Sequence, residues 1–168
     1  MALVIEDGSG KTNAQTYYSS ASVGSYCSQM GYTSWASLAT TSQEQAILRG
    51  MAYIESFDYK GTKGSSNQSL EWPRSNAKDK NGYSIASNTI PLKMKKAVAE
   101  ASYRESVESG VLQPVLTIGA GVIKKEKIGP IETEYMHGSY SDTEYVMLDN
   151  YLQEFVYNNA ISMEIGLG

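Results

Sequence analysis

A chain of 168 residues is long enough to bury one substantial core, and 41% hydrophobic against 19% charged residues favours folding over disorder. The net charge of −4 argues against a protein that grips nucleic acid through an overall basic surface, while leaving room for a local basic patch. Cys27 is the lone cysteine, which excludes an intrachain disulfide and suggests a reducing compartment; neither an export leader nor a membrane span is expected.

Ala2 to Ile5 reads as a short strand, and EDGSGKT at residues 6–12 follows it. Gly10-Lys11-Thr12 imitates the end of a phosphate-binding loop, but the glycine that must stand five residues before Gly10 is Ile5. A shaped glycine turn is the better reading. Ser19 or Ser20 then caps a helix running to Met30, with Gly31 as its left-handed stop and Val23, Tyr26, Cys27 and Met30 on one face. Thr41-Ser42-Gln43-Glu44 fits a capping box for a second helix over 42–56, with Ile47, Leu48, Met51, Ile54 and Phe57 inward.

Residues 58–89 carry glycines, serines and asparagines that break any periodicity, a connection long enough to need a task. Trp72 is expected to pin it to the core and Asn81-Gly82 to make a tight turn. Pro91 suits a first helical position, and Leu92 to Ser109 is helical, with Met94, Ala97, Val98, Ala101 and Val107 inward. The period then becomes that of strands. Lys125 and Lys127 facing Glu132 and Glu134 favour an antiparallel hairpin around Gly129-Pro130. Ser141-Asp142-Thr143-Glu144 fits a second capping box, and Leu148, Tyr151, Leu152, Phe155 and Val156 form the strongest apolar stripe. The apolar stretch from Ile161 to Leu167 either folds back on its own core or serves as an arm for another chain. The fold class is therefore mainly α: about four helices in a small bundle, a long ordered loop after the second, a β-hairpin before the last and an extended C-terminal tail. One domain is expected, with a core over 1–157 and an arm over 158–168.

Enzymatic constellations fail by counting. His137 is the single histidine, so with Cys27 it cannot build a zinc site without carboxylates at metal spacing, and none is visible. Ser75 and Lys78 match S-x-x-K only within a polar loop, and a calcium loop around Asp79 would begin at Ala77 and end at Asn88, neither a carboxylate. Two lysine clusters, Lys93, Lys95 and Lys96, then Lys124, Lys125 and Lys127, read either as solvated faces or as nucleic-acid contacts with tyrosine and tryptophan available for stacking. Tyrosine is abundant, 13 against 2 Phe, which suits surfaces covered on assembly or a wet core.

Three segments carry a resemblance over nearly the whole chain: LVIEDGSGKTNAQTYYS, YKGTKGSSNQSLEWPRSNAKDKNGYSIASNTIP and IKKEKIGPIETEY. They resemble the head–tail connector (adaptor) family of tailed bacteriophages, some members of which are labelled DnaT-like single-stranded-DNA-binding proteins. The resemblance implies a structural virion protein without catalysis, cofactor or metal. It would form a homo-oligomeric ring, typically of twelve copies, docked on the portal protein at the neck between head and tail. Tail proteins would sit beneath it and double-stranded DNA would pass through, with no membrane involved and assembly in the host cytoplasm. The alternative it implies is a replication accessory that binds single-stranded DNA. On the ring reading, Arg74, Tyr59, Lys63 and Tyr83 of the long loop and Ile161, Met163, Ile165 and Leu167 of the tail are the expected subunit or portal contacts; Arg74 could equally cap its own subunit. Gln68, Leu70, Trp72, Pro73, Gly129 and Pro130 are the expected fold anchors.

Overall fold

The structure is a computed structural model that describes residues 2–113, 125–128, 131–134 and 145–157. It divides into two compact units, one over 1–113 and 146–168, the other over 114–145. Among the described residues the chain is mainly helical, with four α-helices and two small antiparallel strand pairs.

In the larger unit α1 spans Ser20–Met30, α2 Thr40–Ile54, α3 Leu92–Val107 and α4 Val146–Leu152. A 3₁₀ turn over Thr33–Ser37 links α1 to α2. The α1 limits follow the sequence: the Ser19 side chain accepts the Ser22 N–H, and Gly31 adopts φ 76°. Only the last residue of its expected face fails, because Met30 lies at the open end of the helix and is 38% exposed. The capping box expected for α2 does not form. The helix starts at Thr40, so Thr41 already lies within the first turn, and Ala39 at the cap offers no side-chain acceptor. Gln43 instead donates to the Trp35 carbonyl at 3.0 Å and accepts from the Ser20 hydroxyl, tying α2 to the elements before it. Leu48 is exposed rather than inward, and Phe57 is half-buried beyond the helix end, edge-on to Tyr53.

Helix α3 is the axis, packing against α1, α2 and α4. Residues 97 to 102 are buried in an unbroken run, as befits a helix covered on most sides. A Cβ on Gly50 would meet the Ser102 amide at 2.8 Å, so α2 and α3 approach at a point where only glycine fits. Pro91 stands one position before the helix rather than inside it, and Val107, at the last turn, is exposed. Beyond α3, the buried Glu105 carboxylate accepts the Gly110 and Leu112 amides and pairs with Arg49 at 2.9 Å, which closes the C-terminal turn.

The expected strand over 2–5 is reduced to a single parallel bridge between Ile5 and Thr16. Helix α4 is shorter than its apolar stripe: Leu148, Leu152 and Phe155 are buried, Tyr151 and Val156 only half-buried. After α4 the chain turns and pairs back on the long loop, Val156 against Tyr59, with Lys60 N–H to the Phe155 carbonyl at 2.7 Å. In the smaller unit β3 (Lys125–Ile128) and β4 (Ile131–Glu134) are antiparallel, with Lys125 opposite Glu134 and Lys127 opposite Glu132, the pairing expected from their charges. Gly129, Pro130, His137, Lys124, the second capping box and the tail positions Ile161, Met163, Ile165 and Leu167 lie outside the described residues.

Candidate nucleic-acid interface

The glycine turn at the N-terminus builds an anion cradle and fills it from within. Gly8 and Gly10 adopt φ 106° and 75°, which brings successive amides round to one point. That point is the Glu6 carboxylate: it accepts the Gly8 N–H at 2.8 Å, the Gly10 N–H at 2.9 Å and the Lys11 N–H at 2.7 Å, and Glu6 is 1% exposed. Lys11 turns outward of the cradle, to the Ile5 carbonyl and the Asp7 carboxylate. The Ser9 hydroxyl and Lys11 hold the Asp7 carboxyl well below the ordinary carboxylate range. No room is left for a phosphate. Sequence reasoning reached the turn and missed Glu6; the signal was a second carboxylate, two residues before Gly8 and beside Asp7.

The long loop closes on itself in the same way. Strands β1 (Thr62–Lys63) and β2 (Arg74–Ser75) pair antiparallel, Thr62 with Ser75 and Lys63 with Arg74, around a tied excursion over 64–73. The Gln68 amide donates to the Leu70 and Pro73 carbonyls, and its oxygen accepts the Ser65 N–H. Trp72, preceding a cis proline, is fully buried, edge-on to Tyr59 and to Phe155 with ring centroids 6.2 and 5.4 Å apart. Its amide donates to the Tyr17 hydroxyl, which in turn donates to the Glu55 carboxylate. Burial raises both Tyr17 and Glu55 above their ordinary values.

The expected contact residues of this loop are largely occupied inside their own chain. Arg74 donates to the carbonyls of Tyr59, Lys60 and Gly61 and to Glu71 at 2.6 Å, all within its own chain. Tyr59 is buried, its hydroxyl on the Ile54 carbonyl at 2.6 Å. Lys63 pairs with Glu71 at 3.3 Å. Tyr83 alone of the four is open, 73% exposed and the most exposed large hydrophobic side chain among the described residues. Gln68, Leu70, Trp72 and Pro73, the residues expected as fold anchors, are buried.

What the charges do divides the surface. Each arginine of the chain is held by a carboxylate: Arg49 by Glu105, Arg74 by Glu71, Arg104 by Glu100. Lys11, Lys63 and Lys93 are paired too, the last with Glu154 at 2.8 Å. Lys78, Lys80, Lys95 and Lys96 form no ion pair with any described residue. All four fall within residues 78–96, a stretch holding five lysines and a single acid, Asp79, inside an otherwise acidic chain. A small hairpin presents the first pair. Lys78 bridges Ser84, and the Asp79 carboxylate accepts the Asn81 and Tyr83 amides at 2.8 and 2.9 Å while Gly82 turns at φ 87°. Lys78, Lys80 and Tyr83 are all exposed on it. Lys95 and Lys96, both half-buried, close the first turn of α3 and open the second, behind the exposed Leu92; the first turn holds no acid and has no side-chain cap, so backbone and lysines are of one sign there. By contrast, a cavity of about 470 Å³ lined by Glu55, Asp58, Glu71 and Arg74 is predominantly acidic and would repel a phosphate strand. Among the described residues, no group of three or more His, Cys, Asp or Glu is placed to hold a metal ion.

The model of a family described as "Putative DnaT-like ssDNA binding protein" matches residues 1–168. The chain belongs to this family. No curated protein and no solved structure matches it. Family membership corrects the connector reading of the sequence. A portal-bound virion ring at the head–tail neck finds no support in the comparisons, whereas the single-strand label kept as the alternative is the description the family carries.

Proposed function

We propose that this DnaT-like family member binds single-stranded nucleic acid along residues 78–96. Tyr83 stacks on a base, and Lys78, Lys80, Lys95 and Lys96 meet phosphates on either side of it. One observation carries the reading: among the described residues, the lysines with neither an ion pair nor a side-chain hydrogen bond share one segment with the most exposed aromatic ring. Base stacking on an aromatic face tolerates any sequence and contributes about 1–3 kcal/mol per base, while ammonium groups supply an attraction that salt weakens. Family membership supports the same class of ligand. An overall charge of −4 would repel the strand elsewhere and confine it to this stretch.

The test is fluorescence anisotropy of a labelled oligothymidine over a range of salt. Four neutralised phosphates give a slope of log K against log salt of about −3 for a single strand. Absence of saturable binding at low salt, a slope near zero, or a clear preference for duplex would refute the assignment.

A further inference from the structure

The two lysine pairs and Tyr83 reach one strand together only if the connection between hairpin and helix has a set length and course. That connection, 86–91, is mostly exposed, and its few internal ties include a Thr89 N–H to the Ala86 carbonyl. The N-terminal glycine turn supports it. A Cβ on Gly8 would lie 2.0 Å from the Asn88 carbonyl oxygen and 2.6 Å from its carbon, so the two backbones are in direct contact there. Gly8 is itself fixed by its amide's bond to the buried Glu6 carboxylate. The other end of the turn is also tied: the Lys11 carbonyl accepts the Ser69 N–H at 2.9 Å and the Ala14 carbonyl accepts the Ser69 hydroxyl at 2.8 Å, which joins it to the Gln68–Arg74 loop. The turn thus stands between the rigid loop and the connection that carries the proposed interface.

We infer that the glycine turn is a spacer: through the contact of Gly8 with Asn88 it sets the separation at which the Tyr83 hairpin and the first turn of α3 engage one strand. Gly8 and Glu6 are positioning residues and touch no ligand. The inference rests on the proposed single-strand reading. Two contact sets on one strand act as linked sites, so fixing their separation raises affinity without any new contact.

Gly8→Ala combines an unfavourable φ with a collision against backbone, and must displace residue 88. Insertion of two glycines between the exposed Ala86 and Ser87 alters the same separation without touching the turn, and decides the matter where Gly8→Ala does not fold by circular dichroism. Each change is made in the wild-type chain and in Lys95→Ala/Lys96→Ala, and oligothymidine affinity is measured by anisotropy. The expected result is a loss of at least about tenfold in the wild-type background and little or none once the helix lysines are gone, because linkage is then already lost. Equal losses in both backgrounds, or an insertion without effect, overturn the spacer. Absence of oligothymidine binding by the unaltered chain would instead overturn the single-strand reading beneath it.

Discussion

Two neighbouring stretches, Gln68–Arg74 and 78–85, are both polar and irregular, and they use their polar groups in opposite ways. In the first, Gln68 and Arg74 spend their donors on carbonyls of their own chain, and Trp72 locks the loop to Tyr59 and Phe155. In the second, the Asp79 carboxylate and a few backbone bonds close the turn, and Lys78, Lys80 and Tyr83 project into solvent. The difference teaches that an eye-catching motif need not be a site. Distinctive residues that are buried and bonded within their own chain, as Gln68 and Arg74 are, specify a fold; plain exposed residues without ion-pair partners are those a ligand can reach.

The comparison breaks most visibly at the inward stretch. Trp72→Ala is expected to cost about 3–5 kcal/mol of stability in urea unfolding, since a fully buried aromatic leaves a cavity; a cost below about 1 kcal/mol would deny its anchoring role. Glu6→Gln should cost about 2 kcal/mol, because an amide group replaces one oxygen of the acceptor that three backbone N–H groups share. At the outward stretch stability should barely move. Tyr83→Ala is expected to weaken oligothymidine binding by about 1–3 kcal/mol while leaving the unfolding midpoint within the range of an ordinary surface change. Lys78→Ala with Lys80→Ala should reduce the steepness of the salt dependence by about 1.4 in log–log slope.

The smallest expected effect concerns pH. Burial raises the Glu55 carboxyl above its ordinary value of 4.5. Such a group binds its proton more tightly in the folded chain, so its contribution to stability is present below the ordinary value and is lost as pH rises through the raised one. Glu55→Gln should flatten that part of a stability–pH profile, and an unchanged slope would show that Glu55 titrates alike in both states.

Periodicity made the helices legible. Ser19 and Gly31 delimit α1, and the Ile47, Met51, Ile54 spacing marks the buried face of α2. Charge alternation made the β3–β4 register legible, Lys127 opposite Glu132. Local patterns failed where element limits differed from them: α2 begins at Thr40, which puts Thr41 inside its first turn, and the 2–5 segment makes one bridge to Thr16 and a bond to Gln15. The candidate site was half visible. Lys95 and Lys96 stood out as a cluster, but their kinship with Lys78, Lys80 and Tyr83 depended on knowing which cations Glu71, Glu105 and Glu154 had already taken. Ion pairs across long sequence separations leave no periodic trace.

The most direct measurement is amide hydrogen exchange of the intact chain with and without saturating oligothymidine. Added protection should appear in peptides covering 78–85 and the start of α3, with the Glu6 turn and the Gln68–Arg74 loop already slow in the free protein and little changed. Protection gained in those two inward segments while 78–96 stays as it was would contradict the division of the surface on which the account stands.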